Sequence, residues 1–98
     1  RQKSYHWTLQ AWEHFPGCDR LAYKLGLLSE QNERAEEAAG WYALAVKIEE
    51  DYRRQFQQMY PDYPIFSRLG ESRYQYAKAF IQSKTENRPA PENEPPSP

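Results

Sequence analysis

The run LAYKLGLLSEQNERAEEAAGWYALA, residues 21–45, carries two helical periods separated by a polar reversal. Leu21, Leu25 and Leu28 fall at i, i+4 and i+7 and share one face, which Ala22 and Leu27 widen. Beyond the polar residues 29–34, Ala38, Tyr42 and Ala45 repeat the period. Gly26 and the two alanines present almost no side chain, so two helix backbones can approach closely there while Tyr42 fills the space between them. A bulky residue at Gly26 would hold the two rods apart. Asp19 suits the N-cap of a helix over 20–31, and Asn32 that of a helix over 33–59.

The longer of these two helices is rich in strong formers and meets no proline until Pro61. Its stripe continues through Ile48 or Glu49 to Tyr52, Phe56 and Met59, and Glu49–Arg53 and Glu50–Arg54 form i, i+4 pairs in the favourable order. On the N-terminal side, Tyr5, Leu9 and Trp12, with Thr8, Ala11 and Phe15 adjacent, predict a helix over 4–15 that ends at Pro16-Gly17. On the C-terminal side, PDYP (61–64) forces a break, and Pro64 suits the first turn of a helix over 65–83 buried through Phe66, Leu69, Ala77 and Phe80 or Ile81. No stretch reads as a strand, so the fold class is all-α.

Composition changes at the end of that helix. Residues 86–98, ENRPAPENEPPSP, hold five of the eight prolines and no large apolar side chain, which predicts a disordered, partly polyproline-II tail beyond a helical domain over 1–85. An SH3- or WW-type ligand would need PxxP spacing, which Pro91 and Pro95 miss and Pro95 and Pro98 meet only at the chain end, so a solubilising end is the simpler reading. Glu86, Glu92 and Glu94 against Arg88 give the tail −2, so with a whole-chain charge of −1 the body is +1. That balance argues against a general polyanion binder. No apolar run approaches the ~20 residues of a membrane span, and none behind basic residues marks a signal peptide. A single cysteine makes no internal disulfide, which points to a reducing, cytoplasmic compartment.

The spacing Ala22-x2-Leu25-Gly26 followed by Ala38-x3-Tyr42-x2-Ala45 resembles one tetratricopeptide (TPR) unit, and Ala38, Trp41, Tyr42 and Ala45 also resemble the A-x-x-W-Y-x-x-A run of its Sel1-like relatives. Ala11 and Pro16 stand where a preceding, truncated repeat would end. Departures from the pattern are Ala22 at the usual Trp, Ser29 at the usual Tyr and Glu50 at the usual Pro. Leu69-Gly70 repeats the Leu-Gly pair but leads to Gln82 where a small residue belongs, so no second complete unit follows. The resemblance, over roughly residues 4–52, implies a four-helix, right-handed array of helical hairpins and a non-enzymatic role in binding another protein. Carried over by spacing from Gly26, it places partner contacts at Arg20, Tyr23, Leu27, Glu30 and Gln31. Taken from Gly70, it adds Ser67, Glu71 and Tyr74.

Other readings compete with partner binding. A small body cannot bury three tryptophans and eight tyrosines, so some rings remain exposed, as in protein-binding hot spots. Self-association as a homodimer would cover such surface. Arg68, Arg73, Tyr74, Tyr76 and Lys78 could instead stack bases and contact phosphates, making a nucleic-acid-associated factor the alternative, although interspersed acids weigh against it. His6, His14, Cys18 and Asp19 lie near one another in sequence without the spacing of a metal or nucleophile motif. No catalytic residue, metal site or cofactor is therefore expected.

Overall fold

The computed structural model describes residues 2–65 and 67–86, which form α1 (Gln2–His14), α2 (Asp19–Gln31), α3 (Ala35–Met59) and α4 (Glu71–Thr85). Among the described residues there is no strand, and no helix is long and apolar enough to cross a membrane. Of the expected tail, residues 86–98, all but Glu86 lies outside the described residues, as does the expected core residue Phe66.

α2 and α3 form an antiparallel hairpin joined by Asn32, Glu33 and Arg34. The amide of Arg34 donates to the Ser29 carbonyl at 2.9 Å and that of Glu33 to the Glu30 carbonyl at 3.1 Å, while Glu33 takes the left-handed φ of 59°. This is the Schellman geometry that ends a helix by satisfying its last carbonyls. Asn32 thus caps the end of α2 rather than the start of α3, whose N-cap is Arg34. Asp19 departs from expectation in the same way. Cys18 occupies the extended N-cap position, and Asp19 falls inside the first turn of α2, 2% exposed.

Gly26 sits against the Tyr42 ring so tightly that a Cβ there would lie 2.5 Å from Cδ1. Ala22, Ala38 and Ala45 are fully buried beside it. The Tyr42 ring is then enclosed by Tyr23 at 5.5 Å, Tyr76 at 5.8 Å and Phe80 at 5.0 Å between centroids. α1 packs on α2 and reaches α3 through Trp12, edge-on to Trp41 at 5.7 Å, and through Tyr5, whose hydroxyl accepts from Trp41 Nε1 at 3.2 Å.

α4 begins at Glu71, six residues later than the sequence suggests, and Pro64 lies exposed in the preceding loop. The cause is Glu49. Its carboxylate, fully buried, accepts from Arg53 Nε at 2.7 Å, Ser67 Oγ at 2.6 Å and the Leu69 amide at 3.0 Å. These bonds pin residues 67–69 to α3 in a non-helical path. Gly70, with φ 102°, then turns the chain through a conformation closed to most side chains. Arg54 pairs with Asp51 at 3.0 Å rather than with Glu50, because Glu50 accepts the Tyr74 hydroxyl at 2.8 Å. α4 runs antiparallel to α3, with Glu71 opposite Arg53, Tyr74 opposite Glu50 and Phe80 opposite Tyr42.

Candidate protein-docking surface

The groove positions inferred from the repeat pattern divide by exposure. Tyr23 is fully buried, Leu27 is 7% and Tyr74 6% exposed, so none of the three offers an open surface. The chain's own fourth helix is the reason. Tyr76 reaches across to Glu30, whose carboxylate accepts its hydroxyl at 2.8 Å and that of Tyr42 at 2.9 Å. Glu30 is thereby committed to holding α2, α3 and α4 together. Ser67 is half-buried with its hydroxyl on Glu49, and Glu71, though exposed, pairs with Arg53 at 2.8 Å and Gln75 at 2.8 Å. The Gln75 amide and the Arg53 guanidinium hold the Glu71 carboxyl below the usual carboxylate range. Arg20 and Gln31 are exposed, at opposite ends of α2.

The residues proposed for nucleic acid fare similarly. Arg68 and Lys78 are exposed, but Tyr76 is 8% exposed and Arg73 lies half-buried with Nη1 on the Leu69 carbonyl at 3.0 Å. The Tyr74 ring is covered by Arg53 at 4.1 Å and Lys78 at 4.9 Å. Neither tyrosine can therefore stack on a base. Burial raises Tyr23 to about 12 and pushes Tyr42, Tyr74 and Tyr76 upward too, the last three also through the carboxylates they donate to. Asp19 is raised by burial against the opposing pull of Arg68, and one of its carboxylate oxygens has no hydrogen-bond partner. Among the described residues no group of His, Cys, Asp and Glu could hold a metal ion.

Open aromatic surface lies elsewhere, at the far end of α3. α2 begins opposite the Asp19–Glu49 level and α4 opposite Arg53, so the last turns of α3 extend past both partners. Tyr52, Phe56 and Tyr60 follow one another at helical spacing, with ring centroids 6.1 and 5.2 Å apart, and Tyr63 from the loop continues the row 6.1 Å from Tyr60. Backbone bonds hold the curve: the Tyr60 amide donates to the Phe56 carbonyl at 2.8 Å and the Tyr63 amide to the Tyr60 carbonyl at 3.2 Å. Phe56, Tyr60 and Tyr63 line an open cavity of about 380 Å³. Met59 (68% exposed), Tyr63 (67%) and Ile65 (45%) bring further apolar surface to this end. Arg68 caps the Tyr52 end of the row, its guanidinium 5.0 Å from that ring.

The repeat-based reading missed this row because spacing within one hairpin says nothing of what extends past it. The signal was the length of α3, 25 residues against 13 in α2 and 15 in α4. A helix that outruns its partners must leave its last apolar residues uncovered. Comparison with protein families, with curated proteins and with solved structures finds no match to the chain.

Proposed function

We propose that this chain is a non-enzymatic protein-interaction module of TPR- or Sel1-like type. It acts by occupying a partner's surface, as an adaptor, an assembly chaperone or an inhibitor of a larger machine in the cytoplasm. The observation that carries the reading is the row Phe56–Tyr60–Tyr63, half-buried at Phe56 and exposed at Tyr60 and Tyr63, with exposed Met59 and Ile65 beside it. Clustered rings with an adjacent arginine are the composition of binding hot spots, and each exposed ring costs solvation that a partner would relieve. The α2–α3 hairpin supports the family reading, since Gly26, Ala38, Tyr42 and Ala45 meet in it at the positions through which the resemblance runs. The contact surface is moved from the inner face of α2 to the overhang of α3, because Tyr23, Leu27 and Tyr74 are core residues.

The test is capture of partners from the source cell by the chain and by a Met59→Ser/Tyr60→Ser/Tyr63→Ser variant of equal helicity. The variant should lose specific partners by tenfold or more. An unchanged captured set would remove the surface from the proposal. Should retained binding decay steeply with added salt, phosphate contacts through Arg68 and Lys78 would replace the aromatic interface.

A further inference from the structure

We propose that the chain holds a second binding site, at the other end of α3 from the aromatic row, and that it takes an apolar carboxylate. The ligand class is a carboxylate group carried on an aromatic or aliphatic body, as in a free arylalkanoic acid or the last residue of a polypeptide. The site lies where α1, the end of α2 and the start of α3 meet. Tyr5, Ser29, Asn32 and Arg34 line a cavity of about 250 Å³ there. Tyr5 and Arg34 also line a wider trough of about 590 Å³ that continues along α3 over Glu37, Gly40, Trp41 and Leu44. A polar well thus opens into a mainly apolar trough, the combination that fixes one end of a ligand and buries the other.

The well is rich in donors. Ser29 is fully buried in its wall, and the hydroxyl has no hydrogen-bond partner among the described residues, a state that calls for an explanation in a folded chain. The Tyr5 hydroxyl accepts from Trp41 Nε1 at 3.2 Å, which leaves its own proton to donate. The Asn32 amide and the Arg34 guanidinium add N–H donors. Arg34 meets Glu37 at 3.7 Å with both side chains at least half exposed, too far for a hydrogen bond and of little worth in water. An incoming carboxylate offers that guanidinium a closer, bidentate contact. One guanidinium among the exposed acids Glu33, Glu36 and Glu37 suits a single negative charge, not the double charge of a phosphate. In the trough, half-buried Trp41 and Leu44 provide the apolar floor. Gly40 keeps it open, since a Cβ built there meets no atom within 4 Å.

The experiment is titration of the isotope-labelled full chain with hydrocinnamate, with N-acetylphenylalanine and with the amide of each, followed by NMR at the Trp41 indole N–H and the Ser29 and Asn32 backbone amides. Both acids should shift these signals saturably at up to millimolar concentration, and each amide should bind at least tenfold more weakly. Arg34→Gln should abolish that preference for the acid; Arg34 caps α3 without a side-chain bond, so helicity should be unchanged. Gly40→Leu fills the trough from an exposed helical position and should weaken every ligand at least tenfold with the fold intact. Tighter binding of N-acetylphenylalanine than of hydrocinnamate assigns the carboxylate to a polypeptide end, and the reverse order to a free acid. Equal binding of acid and amide overturns the proposal, as does full affinity in Arg34→Gln or in Gly40→Leu. Absence of binding, shifts confined to Tyr60 and Tyr63, or tighter binding of phenyl phosphate than of either acid overturns it too. None of these outcomes bears on the loss of partners when the aromatic row is replaced, so the two sites stand or fall separately.

Discussion

Gly26→Ala and Gly40→Ala are the same substitution in the interior of two helices, yet they are expected to move stability in opposite directions. Alanine is favoured over glycine within a helix by about 1 kcal/mol, so an unobstructed site should gain that much. Gly40, on the exposed side of α3, has no atom within 4 Å of a built Cβ and should deliver the full gain. At Gly26 the new methyl would lie 2.5 Å from Tyr42 Cδ1, against the ~3.5–4.0 Å of an ordinary carbon contact, so the ring must retreat by about 1 Å. It has little freedom to do so, being packed on Tyr23, Tyr76 and Phe80 and bonded through its hydroxyl to Glu30. Overpacking of this kind costs about 1–3 kcal/mol, and subtracting the helix-propensity gain leaves a net loss of up to about 2 kcal/mol. The two variants should then differ by about 1–3 kcal/mol, or roughly 4–24 °C in Tm for a domain of this size. Thermal and urea unfolding followed by circular dichroism measure it directly. In a Tyr42→Leu background Gly26→Ala should turn neutral or stabilising, a coupling of about 1–3 kcal/mol. Equal stabilisation by Gly26→Ala and Gly40→Ala, or no coupling to Tyr42, would falsify the close approach on which the hairpin is built.

Two further outcomes follow from buried polar groups. Glu49→Ala removes the acceptor of Arg53, Ser67 and the Leu69 amide and should cost about 3–5 kcal/mol, as breaking a buried pair does, with Glu49→Gln intermediate. Amide exchange at Leu69 and Gly70 should accelerate before that of α2, whereas a uniform change would show that Glu49 does not pin this loop. Tyr23, Tyr42, Tyr74 and Tyr76 have folded pKa values above the unfolded value of about 10, so their contribution is intact below pH 10 and lost as pH rises through the folded values. Tyrosinate absorbance should therefore show these four ionising above the ordinary tyrosine value, Tyr23 near pH 12, and only with loss of helicity. Ionisation of Tyr23, Tyr42, Tyr74 and Tyr76 at ordinary values with helicity intact would contradict the packing.

Much of the architecture is local and therefore readable along the chain. Residues 21–45 contain the period of both hairpin helices, the small residues that let them touch and the ring between them, all within reach of short-range physics. Proline and glycine at 16–17 likewise mark the end of α1, because the missing amide and the freed backbone act wherever they occur. What tertiary structure alone decided is where polar side chains spend their bonds. Glu49 reads as one half of a surface pair with Arg53, yet it also captures Ser67 and Leu69, and this delays α4 to Glu71. Glu30 reads as a groove residue, yet it bonds Tyr42 and Tyr76. Tyr23 and Tyr74 became core because α4 folds back across the face that a repeat protein keeps open. Exposure of Met59, Tyr60 and Tyr63 was settled the same way, by where α2 and α4 stop along α3. Periodicity tells which residues share a face; only the relative lengths and register of the packed helices tell which part of that face has a neighbour.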